Sequence, residues 1–214
     1  MKRKWMYFAC LLVGVAAWSG AGAYAQTDIA ASVDGAFSGT STSGTEVQRS
    51  SNSAGGLLEV RHILNPLVGF EGTYSYHRAN QVSTYILPAN APTTPCSTSG
   101  CNTQPVTVAV SANAHTITGD WVFSRKKRSL RYFALAGGGV LFVVPSSGQM
   151  YTSTATEFVF EFGIGVDWEL ASHFGLRLQD RANIYSAPNL NTFSTATGDL
   201  TYTEEPALGI YYRF

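Results

Sequence analysis

Charged residues recur at alternate positions of extended segments, a spacing that places side chains on one face of a β-strand. In residues 157–170, EFVFEFGIGVDWEL, the even positions from Phe158 to Trp168 are all apolar, whereas the odd positions include Glu161 and Asp167. Carboxylates and guanidinium groups enclosed together would form ion pairs and charge-assisted hydrogen bonds. The charged faces of other segments carry both signs: Asp34, Glu59, Arg61, Glu71, Asp120, Arg177, Arg181 and Arg213.

Catalytic and metal-binding chemistry have weaker support. The four histidines, at positions 62, 77, 115 and 173, lack the paired spacing of metal ligands. A hydrolase would need a histidine, a serine nucleophile and an acid brought together. His77 and the serine-rich segments supply those residue types, but no spacing resembles a lipid A deacylase or acyltransferase motif. The sequence therefore predicts no enzymatic activity, no cofactor and no metal site.

The first 25 residues resemble a cleavable export signal. Lys2, Arg3 and Lys4 precede an apolar run, and Ala23-Tyr24-Ala25 supplies a small-residue cleavage site. An uncleaved membrane anchor is the alternative, but the apolar run is shorter than the roughly 20 residues of a spanning helix. The predicted mature chain, residues 26–214, has 11 basic and 14 acidic residues, a formal net charge of −3. This charge argues against nucleic acid as a partner.

Two cysteines remain in the mature chain, Cys96 and Cys101, within the segment PTTPCSTSGCNTQP. An exported protein meets an oxidising compartment, so a disulfide between them is the favoured state. A metal site would need further ligands, and no histidine lies close to them in sequence.

Two-residue alternation predicts eight strands and no helix in the mature chain. The connections alternate in length: short ones follow the second, fourth and sixth strands, and long ones rich in Ser, Thr, Asn, Gly and Pro follow the others. This pattern is typical of an up-and-down barrel with short turns at one rim and long loops at the other. The predicted strands are 27–37, 55–64, 67–77, 108–124, 130–144, 156–170, 174–186 and 203–214.

A soluble lipocalin-like barrel also has eight antiparallel strands. Its interior is apolar, and the charged faces here carry too many ions for an apolar calyx. Turned inward, the same charges become the polar interior of a transmembrane barrel, and the apolar faces meet lipid. The predicted fold class is therefore all-β, a closed eight-stranded antiparallel up-and-down transmembrane β-barrel.

The terminal strand, EPALGIYYRF, carries the most specific resemblance. Phe214, Tyr212 and Ile210 share one face of it. The chain resembles the small eight-stranded outer-membrane barrels of the OmpA/OmpX type over residues 26–214, without the periplasmic domain of longer members. The resemblance implies that these three residues form the signal read by the barrel-assembly machinery. It also implies outer-membrane location, contact with outer-membrane lipid and transient binding of periplasmic chaperones.

The expected role is structural or surface-interacting, through long extracellular loops and an unidentified surface ligand. Inside the barrel, the predicted charge network fills a narrow lumen; its members are Glu59, Arg61, Glu71, Glu161, Arg177 and Arg181. A small-conductance channel and an outer-membrane lipid-modifying hydrolase are the alternatives. We expect a monomer.

The connection after the third predicted strand has two interpretations. Its apolar residues Tyr85, Ile86 and Leu87 could contact a partner at the cell surface, as loop residues on rigid scaffolds often do. Equally, they could continue a strand above the membrane.

Three details fit this scheme poorly. Asp180 falls on the predicted lipid face, where a bulge or a register change would explain it. Both faces of residues 130–144 are apolar or small, so their alternation does not distinguish inside from outside. Pro206 lacks an N–H group and is expected near the outer rim, where no ladder bond is lost.

Overall fold

The computed structural model describes residues 26–44, 46–86, 105–146, 152–190 and 197–214. The predicted signal peptide and the Cys96–Cys101 pair lie outside the described residues. Within the described part every regular element is a strand, and no helix there is long and apolar enough to cross a membrane. The strands are β1 (Gln26–Ser38), β2 (Thr40–Ser43), β3 (Glu46–Ser50), β4 (Ser53–Ile63), β5 (Val68–Arg78), β6 (Gln81–Ile86), β7 (Pro105–Val110), β8 (Ala112–Lys127), β9 (Leu130–Pro145), β10 (Ala155–Glu169), β11 (Phe174–Ser186) and β12 (Leu200–Arg213).

Eight of these strands form a closed antiparallel barrel in the order β1-β12-β11-β10-β9-β8-β5-β4. The first and last barrel strands complete the ring, because Ile29 of β1 pairs with Tyr212 of β12 and with Val60 of β4. Closure leaves the barrel without an unpaired edge, which is the condition for a sheet to cross a membrane. The predicted eight-stranded barrel is therefore confirmed.

Residues alternate between the two surfaces of the barrel wall. On β10, Phe160, Phe162 and Ile164 are exposed on the outside, whereas Glu161 and Asp167 are buried inside. The other barrel strands repeat this arrangement, so large apolar side chains cover the outer wall while charged side chains lie within. An apolar exterior and an ionic interior are the reverse of a soluble barrel and match a barrel immersed in lipid.

Short turns lie at one rim, which outer-membrane barrels turn toward the periplasm. One of them, at Arg128 and Ser129, is a two-residue turn between β8 and β9, and Arg128 there has a φ of 58°. We call the lumen near these turns the periplasmic half and the opposite part the extracellular half.

A second sheet extends beyond the extracellular rim, where the sequence predicts long loops. Its strand order is β2-β3-β6-β7. We call it the extracellular sheet. Backbone bonds at its junction with the barrel, such as Ser51 N to Asn80 O at 2.8 Å, keep the hairpins continuous with the wall below. The alternation pattern misses most of these strands because Ser, Thr and Gln supply neither a lipid-facing nor a core-facing apolar stripe.

Of the two interpretations of the third connection, a strand extension is present. Strand β6 runs through Tyr85 to Ile86, and Leu87 lies outside the described residues. The predicted fourth strand, 108–124, is divided at Ser111 between β7 and β8. Its lower end runs past the predicted limit to Lys127, so most of the basic run RKKR belongs to the strand and only Arg128 to the turn.

The structure also places the residues that fitted the predicted pattern poorly. Strand β9 turns its odd-numbered residues inward, including Phe133, Leu135 and Leu141, all buried. For Asp180 the explanation by a bulge or register change was wrong. Strand β11 pairs without interruption through this residue, so its side chain lies on the outer wall between Leu178 and Ile184.

Pro206 does not lie near the rim; it is in the middle of β12. The β1–β12 ladder pairs Asp34 with Ala207 and Phe37 with Glu204, and no pairing joins these described strands between those two points. The missing N–H of proline falls in this interruption, where Pro206 faces Gly35 and cannot donate the ladder bond.

Candidate functional site in the barrel lumen

Six charged side chains predicted to line the lumen lie inside the barrel and are almost completely buried. Their exposed fractions are no larger than 2%: Glu59, Arg61, Glu71, Glu161, Arg177 and Arg181. They come from β4, β5, β10 and β11. On each strand every second side chain points into the barrel, and these residues occupy such positions.

Arg177 and Arg61 organise the periplasmic half. Arg177 donates from Nε to Asp167 Oδ1 at 2.8 Å and from Nη2 to Asp28 Oδ1 at 2.9 Å. Arg61 donates from Nε to Glu71 Oε2 at 2.6 Å, and its Nη1 lies 3.3 Å from Asp167 Oδ2. Each guanidinium therefore joins carboxylates of different strands.

Aromatic rings complete this half of the lumen. The guanidinium carbon of Arg61 lies 4.0 Å from the centre of the Phe133 ring, and that of Arg213 lies 4.9 Å from the centre of the Tyr211 ring. A cation over an aromatic face gains a further electrostatic attraction. The periplasmic half is therefore filled by stacked ions and rings.

Arg181 occupies the next level of the lumen. Its Nη1 contacts Glu161 Oε1, its Nη2 contacts Glu71 Oε1, and Nη2 also donates to Glu59 Oε1 at 2.6 Å. Glu59 further accepts hydrogen bonds from Gln179 Nε2 at 2.8 Å and from Ser32 Oγ at 3.2 Å. Because the three carboxylates belong to β4, β5 and β10, the side chain of Arg181 on β11 crosses the lumen.

The balance of charge differs between the two halves of the lumen. The buried, inward-facing groups of the extracellular half include one arginine, Arg181, and one histidine, His77, against five carboxylates: Asp34, Glu59, Asp120, Glu161 and Glu205. The periplasmic half has four arginines and three carboxylates: Arg61, Arg131, Arg177, Arg213, Asp28, Glu71 and Asp167. The excess of acid is therefore confined to the extracellular half.

Several buried groups were missed as site residues although the sequence signals them. Asp28 lies six residues before Asp34 and shares its face, and Glu205 lies eight residues before Arg213 and shares its face. The same parity rule would have found both. Which charges meet across the lumen depends on the barrel's stagger, which the sequence alone does not state.

The three residues predicted as an assembly signal lie on the outer wall of β12. Tyr212 packs edge-on against Phe214, with ring centres 5.0 Å apart, and against Phe174, with ring centres 4.9 Å apart. Trp168 and Trp121 are also exposed on the outer wall. Such an aromatic group near the short turns is the girdle expected at a membrane interface.

This combination of closed ring, apolar wall and ionic interior defines an outer-membrane-type β-barrel of the small, eight-stranded class. Solved structures of that class share the fold. The chain is similar to neisserial surface protein A (12% identity, covering 88% of this chain and 97% of that one, TM-score 0.58). It is also similar to Ail, the attachment invasion locus protein of Yersinia pestis (14% identity, 89% and 99% covered, TM-score 0.51).

A third similar structure is the outer membrane protein OprG of Pseudomonas aeruginosa (10% identity, 89% and 96% covered, TM-score 0.51). No protein-family model matches the chain, and no curated protein sequence matches it. At such identities the likeness establishes the fold, and the function must be argued from this chain's own residues.

Proposed function

We propose that the protein is a plugged outer-membrane barrel with a structural role, which displays the extracellular sheet for contact with surface partners. The main observation in favour of a plugged lumen is that ion pairs cross it. Arg181 spans from β11 to carboxylates on β4, β5 and β10, and Arg61 spans from β4 to Asp167 on β10. An eight-stranded lumen is just wide enough for such side chains to fill it.

Single-channel recording in planar bilayers tests the plug. We expect the purified barrel to show no large, stable ohmic conductance. Replacing Arg181 with alanine removes the cation that joins three strands and should raise the frequency of brief openings. A stable ohmic pore in the unaltered protein would contradict the plug, and Arg125→Ala, at an exposed position near the periplasmic turn, is the matched control.

The surface role rests on the extracellular sheet. Its outer strands, β2 and β7, each have one hydrogen-bonded neighbour within the described sheet, and an edge strand of this kind can pair with a further strand. Val47 on β3 is exposed, with 39% of its surface accessible. Such edges and apolar side chains on a rigid scaffold favour contact with partner molecules.

A membrane-impermeant maleimide applied to intact cells tests whether this sheet is displayed. Val47→Cys should be labelled above the unaltered protein, which carries Cys96 and Cys101. Arg128→Cys, in the opposite short turn, should not. Labelling of Arg128→Cys alone would reverse the orientation and end the proposal.

Binding itself is tested with the segment beyond β6. Deleting residues 88–104 and adding one glycine after Leu87 would leave two residues between Ile86 and Pro105, which pair at the ends of β6 and β7. Two residues are enough for a hairpin turn. Both proteins are then applied to arrays of immobilised glycans and envelope proteins. A molecule that binds the unaltered protein and does not bind the deletion variant is a ligand of this loop. Absence of any signal from the unaltered barrel would remove the surface role and leave the structural one.

The residues on β12 support a second part of the proposal, that the terminal strand is read by the assembly machinery. Phe214, Tyr212 and Ile210 are exposed on one face, where a binding protein could reach them before closure. Phe214→Ser should slow accumulation of heat-modifiable protein in cells while leaving refolding in pure lipid unchanged. Equal losses in both systems would indicate a purely structural residue.

No observation favours a lipid-modifying hydrolase. Lipid A mass spectra from cells with and without the protein would test that alternative, and a mass difference of one acyl chain would support it.

A further inference from the structure

Three ligand-type side chains meet at the extracellular end of the lumen. His77 of β5, Asp34 of β1 and Glu205 of β12 are all buried, and one donor atom of each lies within 4.8 Å of the other two. His77 Nε2 contacts Asp34 Oδ2, and His77 Nδ1 lies 3.8 Å from Glu205 Oε1. We propose that these three residues bind one divalent transition-metal ion, with zinc as the representative ion.

A small cavity beside the cluster supplies the second observation. It has a volume of about 30 Å³ and is lined by His77, Glu205 and Asn183 among others. Asn183 is only 3% exposed, and its Oδ1 atom has no hydrogen-bond partner among the described residues. A buried carbonyl oxygen without a donor is costly and rare. A cation, directly or through a bound water, would satisfy it.

Asp34 carries a further unsatisfied atom. Its Oδ2 faces His77, but its Oδ1 has no hydrogen-bond partner within the described parts of the chain. Asp34 is 7% exposed, so bulk water does not solvate this oxygen freely. The cluster thus retains acceptor capacity that the histidine alone does not use.

The charge of this half of the lumen favours a dication. Five buried carboxyl groups face one arginine and one histidine there, so acidic groups outnumber basic ones. Buried charge without compensation is strongly unfavourable. A doubly charged ion held by a neutral imidazole and two carboxylates would give the cluster a net charge of zero.

The donor set selects the class of metal. Imidazole nitrogen with carboxylate oxygen suits zinc and other first-row dications, whereas calcium and magnesium prefer oxygen donors throughout. Zinc ligand bonds are about 2.0–2.2 Å, so donors around one tetrahedral ion lie about 3.4 Å apart. The three donor atoms now lie within 4.8 Å of one another. His77 presents Nε2 to Asp34 and Nδ1 to Glu205, so an ion bound at either nitrogen requires the carboxylate beside the other nitrogen to change rotamer.

Stoichiometric binding to the folded full chain in detergent tests the site. After chelator treatment and dialysis, titration with zinc chloride should give one bound ion per chain by calorimetry and elemental analysis. His77→Gln should weaken the affinity at least tenfold. The matched control is His115→Gln, because His115 lies on the outer wall beside Tyr74, 2.8 Å from its hydroxyl, and this variant should bind as the unaltered protein does.

A spectroscopic readout separates a metal site from a simple ion pair. Cobalt(II) bound by His77 and two carboxylates in a tetrahedral site should show intense visible absorption bands, which zinc should abolish. Absence of those bands, or His77→Gln binding zinc as tightly as the unaltered protein, would overturn the proposal. If His77→Gln does not fold, Glu205→Gln replaces it. If neither folds, the stoichiometry and cobalt spectrum of the unaltered barrel decide the question.

Discussion

The two halves of the lumen solve the problem of buried charge differently. In the periplasmic half, four arginines face three carboxylates, and three of these arginines also lie over the rings of Phe133 and Tyr211. In the extracellular half, five carboxylates face Arg181 and His77, and neither side-chain oxygen of Asp120 has a hydrogen-bond partner among the described residues. In the described part of the chain, the unpartnered buried atoms of the periplasmic half are mainly guanidinium nitrogens, whereas those of the extracellular half are mainly oxygens, which can accept a further cation.

The largest expected effect is the loss of an arginine from the periplasmic half. Arg177→Met leaves Asp167 and Asp28 without their common partner, and breaking buried pairs of this kind costs about 3–5 kcal/mol. Urea unfolding in lipid vesicles, followed by the fluorescence of Trp121 and Trp168, would measure it. Arg125→Met, at an exposed position, should change the free energy of unfolding by less than about 0.5 kcal/mol. Equal effects would show that the pairs contribute nothing.

A pair of isosteric changes compares the halves directly. Asp167→Asn removes a charge bound by Arg177 and Arg61 and should lower the free energy of unfolding by about 3 kcal/mol. Asp120→Asn replaces a carboxyl group that has no hydrogen-bond partner among the described residues, and it should leave stability unchanged within about 0.5 kcal/mol, or increase it. The same unfolding assay serves both variants. A larger loss for Asp120→Asn would reverse the comparison.

Close approach of strands constrains the extracellular half in a different way. A Cβ atom added at Gly139 would lie 1.8 Å from the carbonyl oxygen of Ile117, whereas one added at Gly72 would meet nothing within 4 Å. Gly139→Ala should therefore destabilise the barrel by about 2 kcal/mol through overpacking, and Gly72→Ala should be close to neutral. Refolding yield on heat-modifiability gels would rank them. A neutral Gly139→Ala would mean that β8 and β9 can separate there without cost.

The smallest expected effect lies outside the lumen. Asp180 is on the outer wall in the middle of β11, where a carboxylate facing hydrocarbon is unfavourable. Asp180→Leu should raise the free energy of unfolding by about 1 kcal/mol. Asp199→Leu, at the exposed extracellular rim, should give no such gain. If Asp180→Leu instead destabilises the protein, the carboxylate has a role that the bilayer alone does not explain.

The alternation of residues made most of the barrel predictable. A strand with one face in lipid repeats its polarity every two residues, so the order of residues in 157–170 indicates both the strand and its orientation. The same rule did not orient residues 130–144, because Ala134, Ala136 and the glycines around Gly138 leave no difference in polarity between the two faces of the strand. The backbone pairing with β8 and β10 settles that orientation.

The partners within the lumen were less predictable than its lining. Arg181 reaches Glu59, Glu71 and Glu161 because strands tilt and stagger around the ring, which brings distant sequence positions to one level. The metal-ligand spacings that can be recognised in a sequence are short intervals. The cluster at His77 has no such spacing, since its three members come from β1, β5 and β12.

The interruption opposite Pro206 bears on how the cylinder is made. Of all neighbouring strands in the barrel, β1 and β12 are the most distant in sequence. Pairing them therefore costs the largest loop-closure entropy, and we expect this pair to form after the local hairpins. The ladder between β1 and β12 is also interrupted midway, because Pro206 has no N–H group to donate. We expect amide hydrogen exchange at Gly35, which faces Pro206, to be faster than at its neighbours in the wall, and this would mark where β1 and β12 can separate.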